Sequence, residues 1–200
     1  MTTKWKADWF LSSLLDNHIT EMVNRYSALL ASRVDFSYKK DSLNYNQPDH
    51  HQLERDIRAL MECMMSHVSV VGYFWVIEYG EDKRYHAHVV FWLDKHITQS
   101  SYVYTERARG HWEEITLKTG VFHRCKFNNR YKANINIPVR YDNPESICNI
   151  RRVLSYLAKE EQKLDCLLYG CNEVPAHSWL GRPRENAAFN YLNQSVRYSI

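Results

Sequence analysis

The sequence lacks the features that define several broad classes of protein. It has only five cysteines among 200 residues, and no two of them form a C-x-x-C pair. An odd number without that spacing argues against a disulfide framework or a structural zinc knuckle. Internal repeats, low-complexity tracts and a G-x-x-x-x-G-K-[ST] nucleotide-binding signature are also missing. We therefore expect no repeat architecture and no helicase motor of its own.

Long apolar runs are missing as well. No stretch approaches the roughly 20 apolar residues that a membrane-spanning helix needs. The opening segment MTTKWKADWFLSSLLDNHIT contains Asp8 and Asp16, and no small-residue cleavage site follows it. This pattern is not that of a signal peptide. We expect no membrane partner and a cytoplasmic location.

Charge of one sign is not in large excess, since 26 Lys and Arg face 23 Asp and Glu, a formal charge of +3. Between residues 118 and 152, however, basic side chains are interleaved with aromatic rings. The basic residues are Lys118, Arg124, Lys126, Arg130, Lys132, Arg140, Arg151 and Arg152, and the rings are Phe122, His123, Phe127 and Tyr131. Cations that meet phosphates and rings that stack on bases suit a single nucleic-acid strand. A solvated β-surface explains the same pattern equally well.

A hydrophobic content of 44% with 14% aromatic residues indicates a folded protein. Apolar periodicity predicts the element order α-β-α-β-β-α-β-β-α. The predicted helices cover residues 5–24, 51–67, 100–117 and 144–162, and the predicted strands cover 27–38, 68–79, 85–93, 121–127 and 133–139. We expect an α+β fold, with helices packed on a central, mainly antiparallel sheet. We expect a single domain over 1–200, with an N-terminal helix in 1–25, a core at about 26–165 and a C-terminal extension of loop and short helix in 166–200.

A pair of histidines suggests a metal site. His86 and His88 are two residues apart on a predicted strand, so both imidazoles lie on one face, where they can bind one divalent ion. Glu78, near the end of the preceding strand, is our candidate for the third ligand. Asp35, on a neighbouring strand, is a possible fourth ligand or an alternative third one. The competing interpretation is that the histidines are core residues with local hydrogen bonds, but burying three polar side chains together is costly without a shared cation.

The metal hypothesis makes a prediction about strand register. If the five residues GEDKR (80–84) form the connection, Glu78 lies directly opposite His86 on the same face. A four-residue loop would place Glu78 opposite Tyr85, on the wrong face, because a slip of one residue turns every side chain over.

The predicted helix 144–162 carries a tyrosine on its polar face. Asn143 is a capping residue, and Pro144 and Glu145 suit a first turn. At 100° per residue, the apolar side chains share one face: Ile150, Val153, Leu154, Leu157 and Leu164. The opposite face carries Arg152, Tyr156, Lys159 and Lys163. A phenol among cations can act as a nucleophile toward phosphate, and Lys159 could favour the phenolate or neutralise the transition state. A surface tyrosine among lysines is the plain alternative.

Histidine-hydrophobic-histidine on a strand, followed by Tyr-x-x-Lys on a helix, resembles the HUH endonuclease superfamily. More closely, the chain resembles replication initiator-like proteins of the inovirus type, from filamentous phages and prophages. The matching segments are RVDFSY (33–38), GYFWVIEYGEDKRYHAHVVFW (72–92), VLSYLAKEEQ (153–162) and GRPR (181–184). The two middle segments are specific in combination, whereas the first and last are weak alone.

The resemblance implies a metal-dependent single-strand DNA nickase. Glu78, His86 and His88 would hold Mg²⁺ or Mn²⁺, with Zn²⁺ as a less favoured ion. Tyr156 would form a 5′-phosphotyrosine link and release a 3′-hydroxyl that primes rolling-circle synthesis, and Lys159 would assist it. Six residues are expected to bind DNA: Arg33, Asp35, Lys126, Arg130, Arg152 and Lys163.

The expected partners are a single-stranded or supercoiled origin, a host helicase and a polymerase, in the cytoplasm of a bacterial or phage-infected cell. Three alternatives remain at this stage. A transposase or relaxase would share the chemistry, a DNA-binding regulator would keep only the fold, and a metallohydrolase would use only the histidine and carboxylate cluster.

Overall fold

The computed structural model describes residues 6–128, 132–160 and 167–176. Within them lie four α-helices, a short 3₁₀-helix and six strands. The helices are α1 (Trp9–Arg25), α2 (His51–Met65), α3 (Tyr102–Ile115) and α4 (Pro144–Leu154), with the 3₁₀-helix at Ser155–Ala158. The strands are β1 (Ala28–Tyr38), β2 (Val70–Gly80), β3 (Arg84–Asp94), β4 (Gly120–Arg124), β5 (Val139–Arg140) and β6 (Leu168–Cys171).

The strands form one sheet in the order β4-β1-β3-β2-β6, and β5 pairs with β1 beside β4. All of these pairings are antiparallel. The predicted α+β fold with a mainly antiparallel central sheet is therefore confirmed. The two predicted apolar strands, β2 and β3, lie in the middle of the sheet, since strands buried on both faces need neighbours and covering layers on both sides.

Helices cover both faces of the sheet. On one face α2 and α3 pack over Phe36, Trp75 and Phe91. On the other face α1, α4 and the 3₁₀-helix pack over Phe74, Val90 and Trp92. Because side chains alternate along a strand, the even-numbered residues of β3 all point to the α1 and α4 side. His86 and His88 share that face with Val90 and Trp92, so the candidate site lies where this apolar layer ends.

Two helices begin at the expected capping residues. Asp8 precedes α1, and its carboxylate accepts a hydrogen bond from the backbone N–H of Leu11 at 2.7 Å. Asn143 precedes α4, and its side chain accepts from the N–H of Ser146 at 3.0 Å. Such caps bind N–H groups that the first turn of a helix leaves without partners. The cap predicted at Asn143 is confirmed.

The predicted strand over 133–139 is wrong except at its end, since only Val139–Arg140 pairs with β1. The preceding residues form a turn around Asn134, although their apolar and polar residues alternate as in a strand. The Asn134 side chain accepts from the N–H of Asn136, and its backbone N–H and C=O both bond the side chain of Asn149. Asparagine side chains compete with strand pairing in this way.

The helix predicted to run to residue 162 ends early, and this error changes the environment of the site. The α-helix ends at Leu154, and a 3₁₀-turn carries the chain to Ala158. The chain then pairs with the segment that precedes α1. The Ala158 carbonyl accepts from Asp8 N–H at 2.8 Å, and Glu160 N–H donates to the Lys6 carbonyl at 2.7 Å. These bonds occupy backbone groups that a continuing helix would need for itself.

A strand at Leu168–Cys171 was not predicted, because the C-terminal part was expected to form loop and short helix. β6 pairs with β2 at the edge of the sheet. The GRPR segment at 181–184 lies outside the described residues. No helix in the described part of the chain combines the length and apolar character needed to cross a bilayer.

Candidate metal centre and its tyrosine

The β2–β3 hairpin places a carboxylate beside the two histidines. Glu78 pairs directly with His86, and Gly80 pairs with Arg84, so the register that was predicted from the loop length is confirmed. Arg84 has φ 54°, in the left-handed region, which is the conformation that commonly closes a three-residue hairpin loop. The residue after His86 points to the other face, and His88 returns to the face of Glu78.

Each histidine uses its Nδ1 atom away from Glu78. His86 Nδ1–H donates to the carbonyl oxygen of Arg84 at 3.0 Å. His88 Nδ1–H donates to Oδ1 of Asp35 at 2.5 Å. These acceptors favour the tautomer that leaves both Nε2 lone pairs open toward Glu78. Burial lowers the pKa of His86, which further favours a neutral imidazole there.

The three side chains fit a divalent cation. Oε2 of Glu78 lies 3.3 Å from His88 Nε2 and 4.0 Å from His86 Nε2, and the three ligand atoms all lie within 4.8 Å of one another. Two ligands that are each about 2.1 Å from one ion are roughly 3 to 4 Å apart. All three side chains are buried. Two imidazole nitrogens and a carboxylate oxygen suit Mn²⁺, Zn²⁺ or, with added waters, Mg²⁺.

Asp35 supports His88 from behind and does not join this group of three ligands. Its carboxylate also lies 3.7 Å from Nη2 of Arg33 and accepts from the thiol of Cys125. Burial alone would raise the pKa of Asp35, but the hydrogen bond and charge of His88, with Arg33, outweigh burial and hold that pKa below its usual range. A carboxylate behind a ligating histidine orients the ring and makes it a better ligand. Of the two carboxylates considered from the sequence, Glu78 is thus the one positioned as a ligand.

Tyr156 reaches the same site from the 3₁₀-turn. Its ring packs edge-on against His88, with centroids 6.0 Å apart, and the Arg33 guanidinium carbon lies 4.7 Å from its centre. Lys159 Nζ donates to the Tyr156 hydroxyl at 2.8 Å and lies 3.3 Å from Oε2 of Glu78. One ammonium group therefore connects the phenol to the candidate metal ligand.

Lys159 differs from its prediction as a member of an exposed basic stripe. It is only 5% exposed, because its backbone pairs with Ala7 and this pairing turns it under the site. Burial opposes its positive charge, but the hydrogen bond to Tyr156 and the charge of Glu78 outweigh burial and raise the pKa of Lys159. The lysine therefore remains an ammonium group at neutral pH.

A cleft of about 1270 Å³ opens over these residues. Of the residues predicted to bind DNA, Arg33, Lys126 and Arg152 line it together with Tyr156 and the two histidines. Asp35 also lines it, but its carboxylate is directed at His88. Arg130 and Lys163 lie outside the described residues. Sequence reasoning missed Cys125 as a neighbour of Asp35, since no local pattern marks a thiol at the end of a short strand.

The fold and the site together define a class: an α+β protein whose central hairpin bears a buried histidine and carboxylate triad beside a tyrosine. The family model for the replication-associated protein ORF2 matches residues 32–165, which is more than half of the chain. The chain belongs to this replication-associated protein family. No curated protein sequence and no solved structure gives a significant match.

Proposed function

We propose that this protein is a metal-dependent, HUH-type single-strand DNA nickase and strand transferase that initiates rolling-circle replication. One observation carries the proposal: Lys159 joins the Tyr156 hydroxyl to Glu78 of the triad. A structural tyrosine needs no buried ammonium and no cluster of metal ligands beside its hydroxyl. The match to a replication-associated family supports DNA as the substrate.

The triad supplies the place for a cation. Glu78, His86 and His88 would hold Mg²⁺ or Mn²⁺, and such an ion polarises a phosphoryl oxygen and neutralises developing charge. Asp35 and the Arg84 carbonyl hold the two imidazole rings in the tautomer that a cation requires.

Tyr156 is the proposed nucleophile. Its phenolic oxygen attacks the phosphorus of one phosphodiester while the bond from phosphorus to the 3′ oxygen breaks. The phenol gives up its proton and the leaving 3′ oxygen gains one, so the products are a 5′-phosphotyrosine and a free 3′-hydroxyl. The ammonium of Lys159 donates to the phenolic oxygen and stabilises negative charge as it forms there.

The covalent link preserves the phosphodiester energy for a second transfer. A 3′-hydroxyl that attacks the phosphotyrosine restores a DNA strand and releases Tyr156. The sequence has no second tyrosine within a turn of Tyr156, which supports a single-tyrosine cycle. Between the two transfers, the first 3′-hydroxyl would prime a host polymerase, and a host helicase would unwind the duplex in the cytoplasm of a bacterial or phage-infected cell.

The test is formation of a covalent adduct. Purified protein is incubated with a library of labelled single-stranded or supercoiled DNA and Mn²⁺, and the products are separated under denaturing conditions. We expect an adduct that resists SDS, that depends on Mn²⁺, and that is lost in both Tyr156→Phe and His86→Ala. Sequencing of the attached end would locate the origin and distinguish a replication origin from a transposon end or a transfer origin.

The remaining alternatives give different results in the same test. DNA binding without a nick or adduct, across several metals and sequences, would identify a DNA-binding regulator and sink the nickase. Cleavage that survives Tyr156→Phe would identify a simple metallohydrolase.

A further inference from the structure

Two depressions continue the cleft away from the triad on the side of β4. Lys126 and Phe127 line the cleft and both depressions, so the three concavities form one continuous surface. We call this surface the β4 groove and define it by Arg124, Lys126, Phe127 and Tyr102. It begins next to Arg33, beside the triad, and ends at Tyr102 in the first turn of α3.

Its charge favours a polyanion. The depression next to the cleft is lined by Arg33, Arg124 and Lys126 and by no carboxylate. The outer depression adds one carboxylate, Glu106, and that carboxylate already binds Arg109 at 2.9 Å. Cations along a groove bind successive phosphates of a strand.

Aromatic rings accompany these cations. Tyr102 is 53% exposed, and the guanidinium carbon of Arg124 lies 5.0 Å from the centre of its ring. Phe127 lies at the junction of the three concavities, between the triad and Tyr102. Exposed rings that alternate with cations are the usual platform for unpaired bases. Of the two sequence explanations for the basic and aromatic stretch, this arrangement favours nucleic-acid binding over a solvated surface.

The opposite exit from the cleft is less suitable. It leads past Arg152 to a depression lined by Arg140, Asp142 and Glu145 and by no aromatic residue. Its cations are matched by carboxylates, and Arg140 already binds Asp142 at 2.8 Å. A DNA strand on that side would gain little from phosphate contacts and nothing from stacking.

We propose that single-stranded DNA on one side of the reacting phosphate leaves the cleft through the β4 groove. Its phosphates contact Lys126 and Arg124, and its bases stack on Phe127 and Tyr102. The inference rests on the proposed function for the nature of the ligand and adds the path of the strand.

The path is tested by binding, in the full-length Tyr156→Phe protein, so that no adduct forms. The probe is a fluorescein-labelled thymidine 30-mer, and fluorescence anisotropy gives its Kd at several salt concentrations. Tyr102→Leu and Phe127→Leu, which keep apolar volume but remove the ring, should each weaken binding about tenfold. Lys126→Ala, at an exposed position, should reduce the slope of log Kd against log salt by about 0.7. Arg140→Ala, at the opposite exit, is the matched control and should leave both quantities unchanged.

Each outcome separates the path from the chemistry. Unchanged Kd and salt slope in Lys126→Ala, or a loss in Arg140→Ala equal to that in the groove variants, would overturn the path even if the wild type forms an adduct. Weaker binding by the groove variants, together with no adduct in the wild type, would support the path and overturn the nickase. Lys126→Glu reverses an exposed charge without changing the core, so it decides the matter if a ring variant fails to fold.

Discussion

Lys159 Nζ lies 3.3 Å from Oε2 of Glu78, so a buried ammonium group contacts the same carboxylate oxygen that faces both histidines. A divalent ion bound to Glu78 would therefore share that oxygen with a positive charge already in place. The lysine would favour negative charge on Tyr156 and at the same time oppose binding of the cation. These two effects have opposite signs and can be measured separately.

Replacing Lys159 by methionine should strengthen Mn²⁺ binding while it prevents adduct formation. Like charges about 4 Å apart repel by roughly 4 kcal/mol at an effective dielectric constant near 20, so a gain in affinity of about tenfold is a conservative expectation. Titration calorimetry at pH 7.5 measures the Mn²⁺ affinity, and Lys159→Arg, which keeps the charge, is the control. A weaker Mn²⁺ affinity in the methionine variant would contradict the expected repulsion.

Replacing Asp35 by asparagine should weaken metal binding although Asp35 is not placed as a ligand. The amide carries no charge to hold His88 Nδ1–H, and loss of such a support typically costs about 10- to 100-fold in metal affinity. The same calorimetric titration measures this loss. Asp41→Asn, at an exposed position in the loop before α2, should bind Mn²⁺ as the wild type does. Equal affinities in the two variants would show that Asp35 does not act through His88.

Acid should destabilise the fold through a histidine remote from the triad. His18 on α1 is buried against Phe74 and Trp92, and burial lowers its pKa from 6.5 to about 4. Below pH 6.5 the unfolded chain binds a proton that the folded protein does not bind until about pH 4, so stability falls as the pH falls through this window. The loss from pH 7.5 to pH 4.5 should be about 2 to 3 kcal/mol.

Urea unfolding of the wild type and of His18→Leu at both pH values checks this expectation. The variant should lose clearly less stability than the wild type over the same interval. It should not become independent of pH, because burial also lowers the pKa of His86. Parallel losses in the two proteins would exclude His18 as a cause.

Two glycines should respond to alanine in opposite directions. A Cβ atom on Gly170 in β6 would lie 2.5 Å from an atom of the Trp75 ring, whereas nothing lies within 4 Å of such an atom on Gly110 in α3. Gly170→Ala should destabilise the protein by about 1 to 3 kcal/mol through overpacking. Gly110→Ala should stabilise it by about 0.5 to 1 kcal/mol, because alanine loses less chain entropy in a helix.

Thermal and urea unfolding measure both changes. An unaltered stability in Gly170→Ala would mean that β6 moves away from Trp75 at little cost. The Gly110→Ala variant controls for the general effect of replacing glycine by alanine.

Much of the fold and the site was predictable where the information is local. The loop length between β2 and β3 predicted the pairing of Glu78 with His86, because alternation along a strand allows only one register with both side chains on one face. The cap at Asn143 followed from the chemistry of a helix start. The central position of β2 and β3 followed from their apolar character on both faces.

The errors lie where distant segments meet. The end of α4 depends on hydrogen bonds to the residues before α1, and β6 depends on pairing with β2, some 90 residues earlier. Neither partner can be identified from a local pattern. The Asn134 turn is the one local failure, and there a side-chain hydrogen bond outweighed an alternating strand pattern.

The sequence by itself determined which residues carry the chemistry: two histidines at strand spacing, a carboxylate in register with them and a tyrosine followed three residues later by a lysine. Only the tertiary structure decided their relationships, since it placed Asp35 behind His88 and buried Lys159 between Glu78 and Tyr156. The physical reason is that periodicity specifies the face on which a side chain lies. Its burial and partners depend instead on which remote segments pack against that face.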